Sequence, residues 1–150
     1  MNTQTSPKAT TAFLLELYKN MKMGADSIVN VSGRVKEGDF RDELARELDT
    51  YEKFSHEIGK LIHEAGETPK EEGIMSKMMA KMGMAMNTMT DSTTSHIAQM
   101  MIEGATMGIT ENTKLIHEYE EKGVSEEALK LGRETVKYME ETVETLKKYL

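Results

Sequence analysis

Methionine is the residue type with the most distinctive local concentration in this 150-residue chain. Thioether sulfurs are soft ligands suited to Cu(I), and flexible methionine side chains also form adaptable helix-binding surfaces. Seven methionines lie in residues 75–89, and six of them follow helical spacing, so packing against a helical core is a third use. The sequence leaves three interpretations open: core packing, an interface that includes Met79, Met82 and Met86, and a copper site. This Met-rich segment, residues 75–89, holds seven of the 14 methionines: Met75, Met78, Met79, Met82, Met84, Met86 and Met89.

Three polar side chains fall on the apolar faces of predicted helices, where they would be buried: Glu47, Tyr51 and Asn112. A buried carboxylate must be paired or hydrogen-bonded, or it becomes neutral. One interpretation is a hydrogen-bond network of these three residues that sets the helix register. A second is an unconventional iron or manganese site in which Glu47 acts with Glu111 and Glu16. A third is a cavity for a small ligand.

Composition and missing motifs argue against several functional classes. The chain has no cysteine, which rules out disulfides, thiolate metal sites and thiol nucleophiles. Its net charge of -7 argues against nucleic acid as the main partner. No Gly-rich phosphate loop, G-x-S-x-G or H-E-x-x-H motif occurs, so no motif indicates a hydrolase or nucleotide-binding function. A polar N-terminus and the lack of a long apolar run predict a cytoplasmic protein with no membrane span.

Four long amphipathic helices are predicted to position these residues. Apolar residues recur at spacings of three and four along each segment, which indicates one buried stripe per helix. The stripes extend to Ala65 in the second helix and to Leu150 in the fourth. Gly66 and Gly123 are predicted to end the second and third helices. The predicted N-terminal signals are Ser6 followed by Pro7, Asp39, Asp91 or Ser92, and Ser125.

The lengths of the connections predict how the helices are joined. Residues 34–38 and 123–125 are short enough to form two antiparallel helix hairpins. Residues 67–90 are long enough to cross the length of a bundle, and they contain the Met-rich segment as a short helix. We therefore expect an all-α, ferritin-like four-helix bundle. It forms a single domain over residues 1–150, with a flexible N-terminus at residues 1–6.

Two stretches carry a resemblance to a known group of proteins. They are ELARELDTYEKFSHEIGKLIHEAGE, residues 43–67, and QMMIEGATMGITENTKLIHEYEE, residues 99–121. In pattern and segment order, over most of residues 10–150, the chain resembles small bacterial ferritin-like bundles of unknown function. The resemblance implies the ferritin-like fold and no particular activity.

The residues that ferritin-like di-iron sites require are missing from the expected positions. Such a site takes a Glu from each of two helices and a Glu-x-x-His motif from each of the other two. None of the four histidines has glutamate three residues before it. His56, His63 and His117 are predicted to face solvent. The sequence therefore predicts a bundle that lacks the usual di-iron ligands.

These observations favour a structural or interaction protein over an enzyme, although catalysis stays open. We expect a homodimer formed through the Met-rich crossover. No cofactor is firmly indicated. Iron or manganese held by carboxylates, and Cu(I) held by the Met-rich segment, are the alternative functions.

Overall fold

The computed structural model of the chain contains four long α-helices in the residues that it describes, which are 4–36, 38–69 and 93–150. The helices are α1, Pro7–Ser32; α2, Asp39–Glu64; α3, Thr94–Tyr119; and α4, Glu126–Leu146, which a short 3₁₀ turn follows at Lys147–Tyr149. No β-strand occurs within those ranges. The predicted all-α class with four helices is therefore confirmed for the described part of the chain.

Serine side chains begin the first and last helices at the predicted residues. Ser6 Oγ accepts a hydrogen bond from the backbone N–H of Ala9 at 3.1 Å, and Pro7 is the first residue of α1. Ser125 Oγ accepts from the backbone N–H of Ala128 at 3.2 Å. Both caps satisfy N–H groups that have no partner within the first helical turn, which is why the sequence locates these two starts correctly.

The second helix and the end of the chain differ from the prediction in three details. Asp39 is the first residue of α2 and not its cap; the cap position belongs to Gly38, whose φ of 99° favours glycine. Ala65 follows the last turn of α2 and is exposed, whereas Gly66 ends the helix with a φ of 84°, as predicted. Leu150 follows the 3₁₀ turn and is 60% exposed.

The third helix begins with a threonine cap. Thr93 Oγ1 accepts a hydrogen bond from the backbone N–H of His96 at 3.2 Å, and Thr94 is the first helical residue. The predicted start signals Asp91 and Ser92 lie outside the described residues. The structure therefore assigns the cap to a residue of the same chemical class one position later than Ser92.

Contacts between aromatic rings show in which direction the helices run. Phe13 near the start of α1 packs against Tyr119 at the end of α3, with 5.9 Å between ring centroids, so these helices are antiparallel. Phe40 at the start of α2 packs against Tyr149 just beyond α4, with 4.9 Å between centroids, so this pair is antiparallel too. The two expected hairpins, α1–α2 and α3–α4, also form. Helices α2 and α3 therefore run in the same direction, and the end of α2 lies at the opposite end of the core from the start of α3.

One apolar core is shared by all four helices. Leu17, Leu44, Ile97 and Leu146, one from each helix, are all buried in it. Burial of a side chain of this size stabilises the fold by roughly 1.5–3 kcal/mol, which makes this core the main source of stability. Within the described ranges, no helix combines the length and the apolarity that a membrane crossing needs.

Candidate functional site

A cavity of about 60 Å³ lies between α1 and α3, and residues of α2 and α4 form its inner wall. Methionine side chains and two carboxyl groups account for much of its lining. None of the described residues that line it is basic. The cavity is therefore apolar with an acidic component. The methionines are Met23, Met100, Met101, Met107 and Met139, and the carboxyl groups belong to Glu47 and Glu111.

Small residues on α3 make room for the cavity. Gly104 and Gly108 are four residues apart, so both lie on the face of α3 that lines it. A Cβ atom added at Gly108 would lie 2.7 Å from Sδ of Met139. The Met139 side chain of α4 therefore occupies space that only glycine leaves free at this position.

Tyr51 reaches the cavity because α1 carries glycine at the point of contact. A Cβ atom added at Gly24 would lie 2.5 Å from Cε1 of Tyr51, which is closer than real Cβ contacts. The ring of Tyr51 also packs edge-on against Tyr138 of α4, with 5.7 Å between ring centroids. Burial raises the pKa of both tyrosines, so both phenols stay protonated at neutral pH.

Glu47 is the buried carboxyl group of this site. It is 1% exposed, and neither of its carboxylate oxygens has a hydrogen-bond partner among the described residues. Glu43 lies one turn earlier on α2, where its Oε1 accepts a hydrogen bond from Arg46 Nη2 at 2.7 Å. Burial raises the pKa of Glu47 to about 9, Glu43 adds to the rise, and Arg46 opposes it. Glu47 is therefore a neutral acid at neutral pH.

A separate chain of hydrogen bonds passes through Asn112, which is completely buried. Asn20 Nδ2 on α1 donates to Asn112 Oδ1 at 2.8 Å, and Asn112 Nδ2 donates to Thr135 Oγ1 on α4 at 3.0 Å. Thr135 Oγ1 in turn donates to the carbonyl oxygen of Gly132 at 2.6 Å. The amide of Asn112 also lies 3.7 Å from Sδ of Met21. This chain of hydrogen bonds connects three of the four helices.

The predicted network of Glu47, Tyr51 and Asn112 is wrong in its membership. All three residues are buried, but Glu47 forms no hydrogen bond with either of the other two. Asn112 instead pairs with Asn20 and Thr135. Helical spacing places each residue on the inner face of its own helix, but it does not determine the level at which two helices meet.

The sequence analysis missed Asn20 and Thr135. Thr135 follows Gly132 by three residues and precedes Met139 by four, which places it within the apolar stripe of α4. Asn20 follows Leu17 by three residues and lies at the edge of the stripe of α1. Helical spacing alone could therefore have identified Thr135, whereas Asn20 required its partner on α3.

Two of the three predicted carboxylate ligands come together. Glu47 and Glu111 line the same cavity, whereas Glu16 is exposed and lies outside it. In the described part of the chain, no group of three or more His, Asp and Glu side chains is arranged to hold a metal ion. His56, His63 and His117 are all exposed, as predicted.

Met79, Met82 and Met86, with the other four methionines of residues 75–89, lie outside the described residues. The interface and the copper site that the sequence suggests for this segment therefore stay predictions. The methionines of the cavity are different residues, supplied by α1, α3 and α4.

The chain matches a known protein family over much of its length. Residues 9–118, more than two thirds of the chain, match the family described as Domain of unknown function (DUF2383). No curated protein matches the chain at a significant level, and no solved structure does.

Proposed function

The chain belongs to the DUF2383 family, whose function is not assigned, and we propose that it is a ferritin-like interaction protein without a di-iron centre. The helix directions support the ferritin-like topology. Because α2 and α3 run in the same direction, two antiparallel hairpins must be joined by a connection between opposite ends of the core, as in ferritin-like bundles. The core cluster, which includes residues from Phe13 to Leu146, supports a single domain over residues 1–150.

The observation that carries this proposal is the lining of the interior cavity. A di-iron site in such a bundle takes four carboxylates and two imidazoles, all pointing inward. Among the described residues, this cavity instead presents five methionine thioethers and two carboxyl groups, Glu47 and Glu111. Thioethers are poor ligands for the iron ions that carboxylates hold. An interior of this kind favours a structural or binding role over di-iron oxidation.

Association through the Met-rich segment is the second element of the proposal. An apolar, methionine-rich surface is adaptable and marks an interface more often than a free surface. We therefore propose a cytoplasmic homodimer in which Met79, Met82 and Met86 contribute to the contact. Cu(I) binding by the same segment is the competing role.

A nonstandard iron or manganese site is the alternative function, and one observation favours it. Glu47 and Glu111 lie on different helices and line one cavity, so a single ion could bind between them with help from the Asn20 amide oxygen. The set has no imidazole and too few carboxylates for two ions.

Metal analysis of the full chain, purified without chelators, tests the proposal against this alternative. We expect less than one equivalent of iron or manganese per chain, and the same content in the Glu47→Gln variant. Two tightly bound ions per chain would contradict the proposal. One equivalent that is lost in both Glu47→Gln and Glu111→Gln would establish the alternative site.

A further inference from the structure

We propose that the cavity between α1 and α3 binds a small organic cation, with an ammonium group at Glu47 and an apolar remainder among the methionines. The proposal concerns a ligand site and does not depend on association through the Met-rich segment. Three features of the site point to this ligand class: an unpartnered buried carboxyl group, the charge of the lining, and the size and chemistry of its apolar part.

The first feature is Glu47 itself. The residue is 1% exposed, it lines the cavity, and both of its carboxylate oxygens lack a hydrogen-bond partner. A buried acceptor without a partner costs free energy that a bound donor group recovers. An ammonium group offers three donors and a positive charge, and a charge-assisted hydrogen bond is about twice as strong as a neutral one.

The second feature is the charge of the lining. Glu111 is exposed on α3 and lines the same cavity, so a negative charge lies at its outer side. The described lining contains no basic side chain that could pair with an anionic ligand. One N–H of the Asn20 amide donates to Asn112, and the Oδ1 of Asn20 is an acceptor on a residue that lines the cavity. The charged part of the described lining is therefore acidic.

The third feature is the apolar part, which limits the ligand in size. A cavity of about 60 Å³ holds about four to six water-sized groups. n-Butylammonium, with five non-hydrogen atoms, fits that limit. Methionine side chains adapt to small apolar groups, and the lining also includes the Tyr51 ring, an aromatic group of the kind that attracts cations.

Binding of a cation should be linked to the ionisation of Glu47. The groups that interact with Glu47 are Glu43, Arg46 and Tyr51 on α2 and Tyr138 on α4, while Glu111 of α3 lines the same cavity. The residues of α1 that line the cavity are not titratable. Burial keeps Glu47 protonated at neutral pH, so the cation must displace a proton. Affinity should therefore rise as the pH is raised from 6 to 8.

The test is a titration of the full chain with n-butylammonium chloride, followed by the NMR signals of the methionine methyl groups. We expect saturable shifts at Met101 and Met139, which line the cavity, and none at Met21, which is buried outside it. The neutral isostere 1-butanol should bind at least about tenfold more weakly. The n-butylammonium affinity should rise by up to about tenfold per pH unit.

Substitutions complete the test. Glu47→Gln preserves the shape of the side chain and should abolish the preference for n-butylammonium over 1-butanol. Glu103→Gln makes the same substitution at an exposed position of α3 outside the cavity, and it should leave binding unchanged. Equal affinity for the two ligands in the unaltered protein, or an unchanged preference in Glu47→Gln, would overturn the proposal. The comparison of ligands needs no variant, so it stands even if Glu47→Gln folds poorly.

Discussion

The side-chain amide of Asn20 on α1 donates a 2.8 Å hydrogen bond to Oδ1 of Asn112 on α3. Asn112 Nδ2 in turn donates a hydrogen bond to Thr135 Oγ1 of α4, so one directional chain of hydrogen bonds links three helices. Asn112 is fully buried, and each of its polar atoms has a partner. A satisfied polar chain of this kind permits one register between α1 and α3 and penalises others, since a shifted helix would leave these groups unpaired.

Removal of the Asn112 side chain should destabilise the fold. In Asn112→Ala, Asn20 and Thr135 lose a buried partner, and the free energy of unfolding should fall by about 1–3 kcal/mol or more. Urea denaturation followed by circular dichroism measures this change. Asn30→Ala on the exposed face of α1 is the matched control and should change stability by less than about 0.5 kcal/mol. Equal denaturation midpoints for wild type and Asn112→Ala would show that the chain of hydrogen bonds contributes nothing to stability.

Two glycine-to-alanine substitutions should have opposite effects. A Cβ at Gly24 meets the Tyr51 ring at 2.5 Å, so Gly24→Ala should destabilise the protein by about 1–3 kcal/mol. A Cβ at Gly59 lies 3.6 Å from Cε2 of Tyr18, an ordinary contact, so Gly59→Ala should stabilise the helix by about 0.5–1 kcal/mol. Thermal unfolding of both variants tests the packing, and destabilisation of equal size would be inconsistent with it.

Stability should decrease with rising pH because of Glu47. Its pKa is about 9 in the folded protein and 4.5 in the reference state, so the folded state binds more protons between these values. The unfolding free energy contributed by this group is therefore fully present below about pH 4.5 and is lost as the pH approaches 9.

The variant Glu47→Gln should remove that pH dependence. Relative to wild type, it should gain stability with increasing pH, by up to about 1.4 kcal/mol per pH unit between pH 5 and pH 9. Urea denaturation at several pH values measures the difference, with Glu103→Gln as the exposed control. A constant difference between Glu47→Gln and wild type would mean that Glu47 titrates as an ordinary surface carboxylate.

Replacement of three methionines in the Met-rich segment should weaken the proposed dimer. In a chain with Met79, Met82 and Met86 changed to Gln, polar groups replace part of the apolar contact, so the dissociation constant should rise. Sedimentation equilibrium measures association, and circular dichroism checks that helical content is nearly unchanged. A wild-type chain that stays monomeric at high micromolar concentration would refute the interface. Tight binding of one Cu(I), lost in the triple variant, would favour the copper role.

Local signals in the sequence predicted three of the helix boundaries. Ser6 with Pro7 and Ser125 start helices where they were expected, and Gly66 ends one with a positive φ. Helical periodicity also predicted that Glu47 is buried. These features depend on groups within a few residues of one another, or on the direction of a side chain from its own helix axis, and both follow from local geometry.

The partners of the buried groups were decided by the tertiary structure. One of three interpretations of the sequence placed Glu47 and Asn112 in one network, but the packing of α1 against α3 pairs Asn112 with Asn20 and leaves Glu47 beside a methionine-lined cavity. The same packing joins Glu111 to that cavity and leaves Glu16 outside it. The periodicity of a helix determines which way each side chain points, but not how far one helix is shifted along its neighbour. That shift is set by contacts such as Tyr51 against Gly24, which join residues distant in the chain.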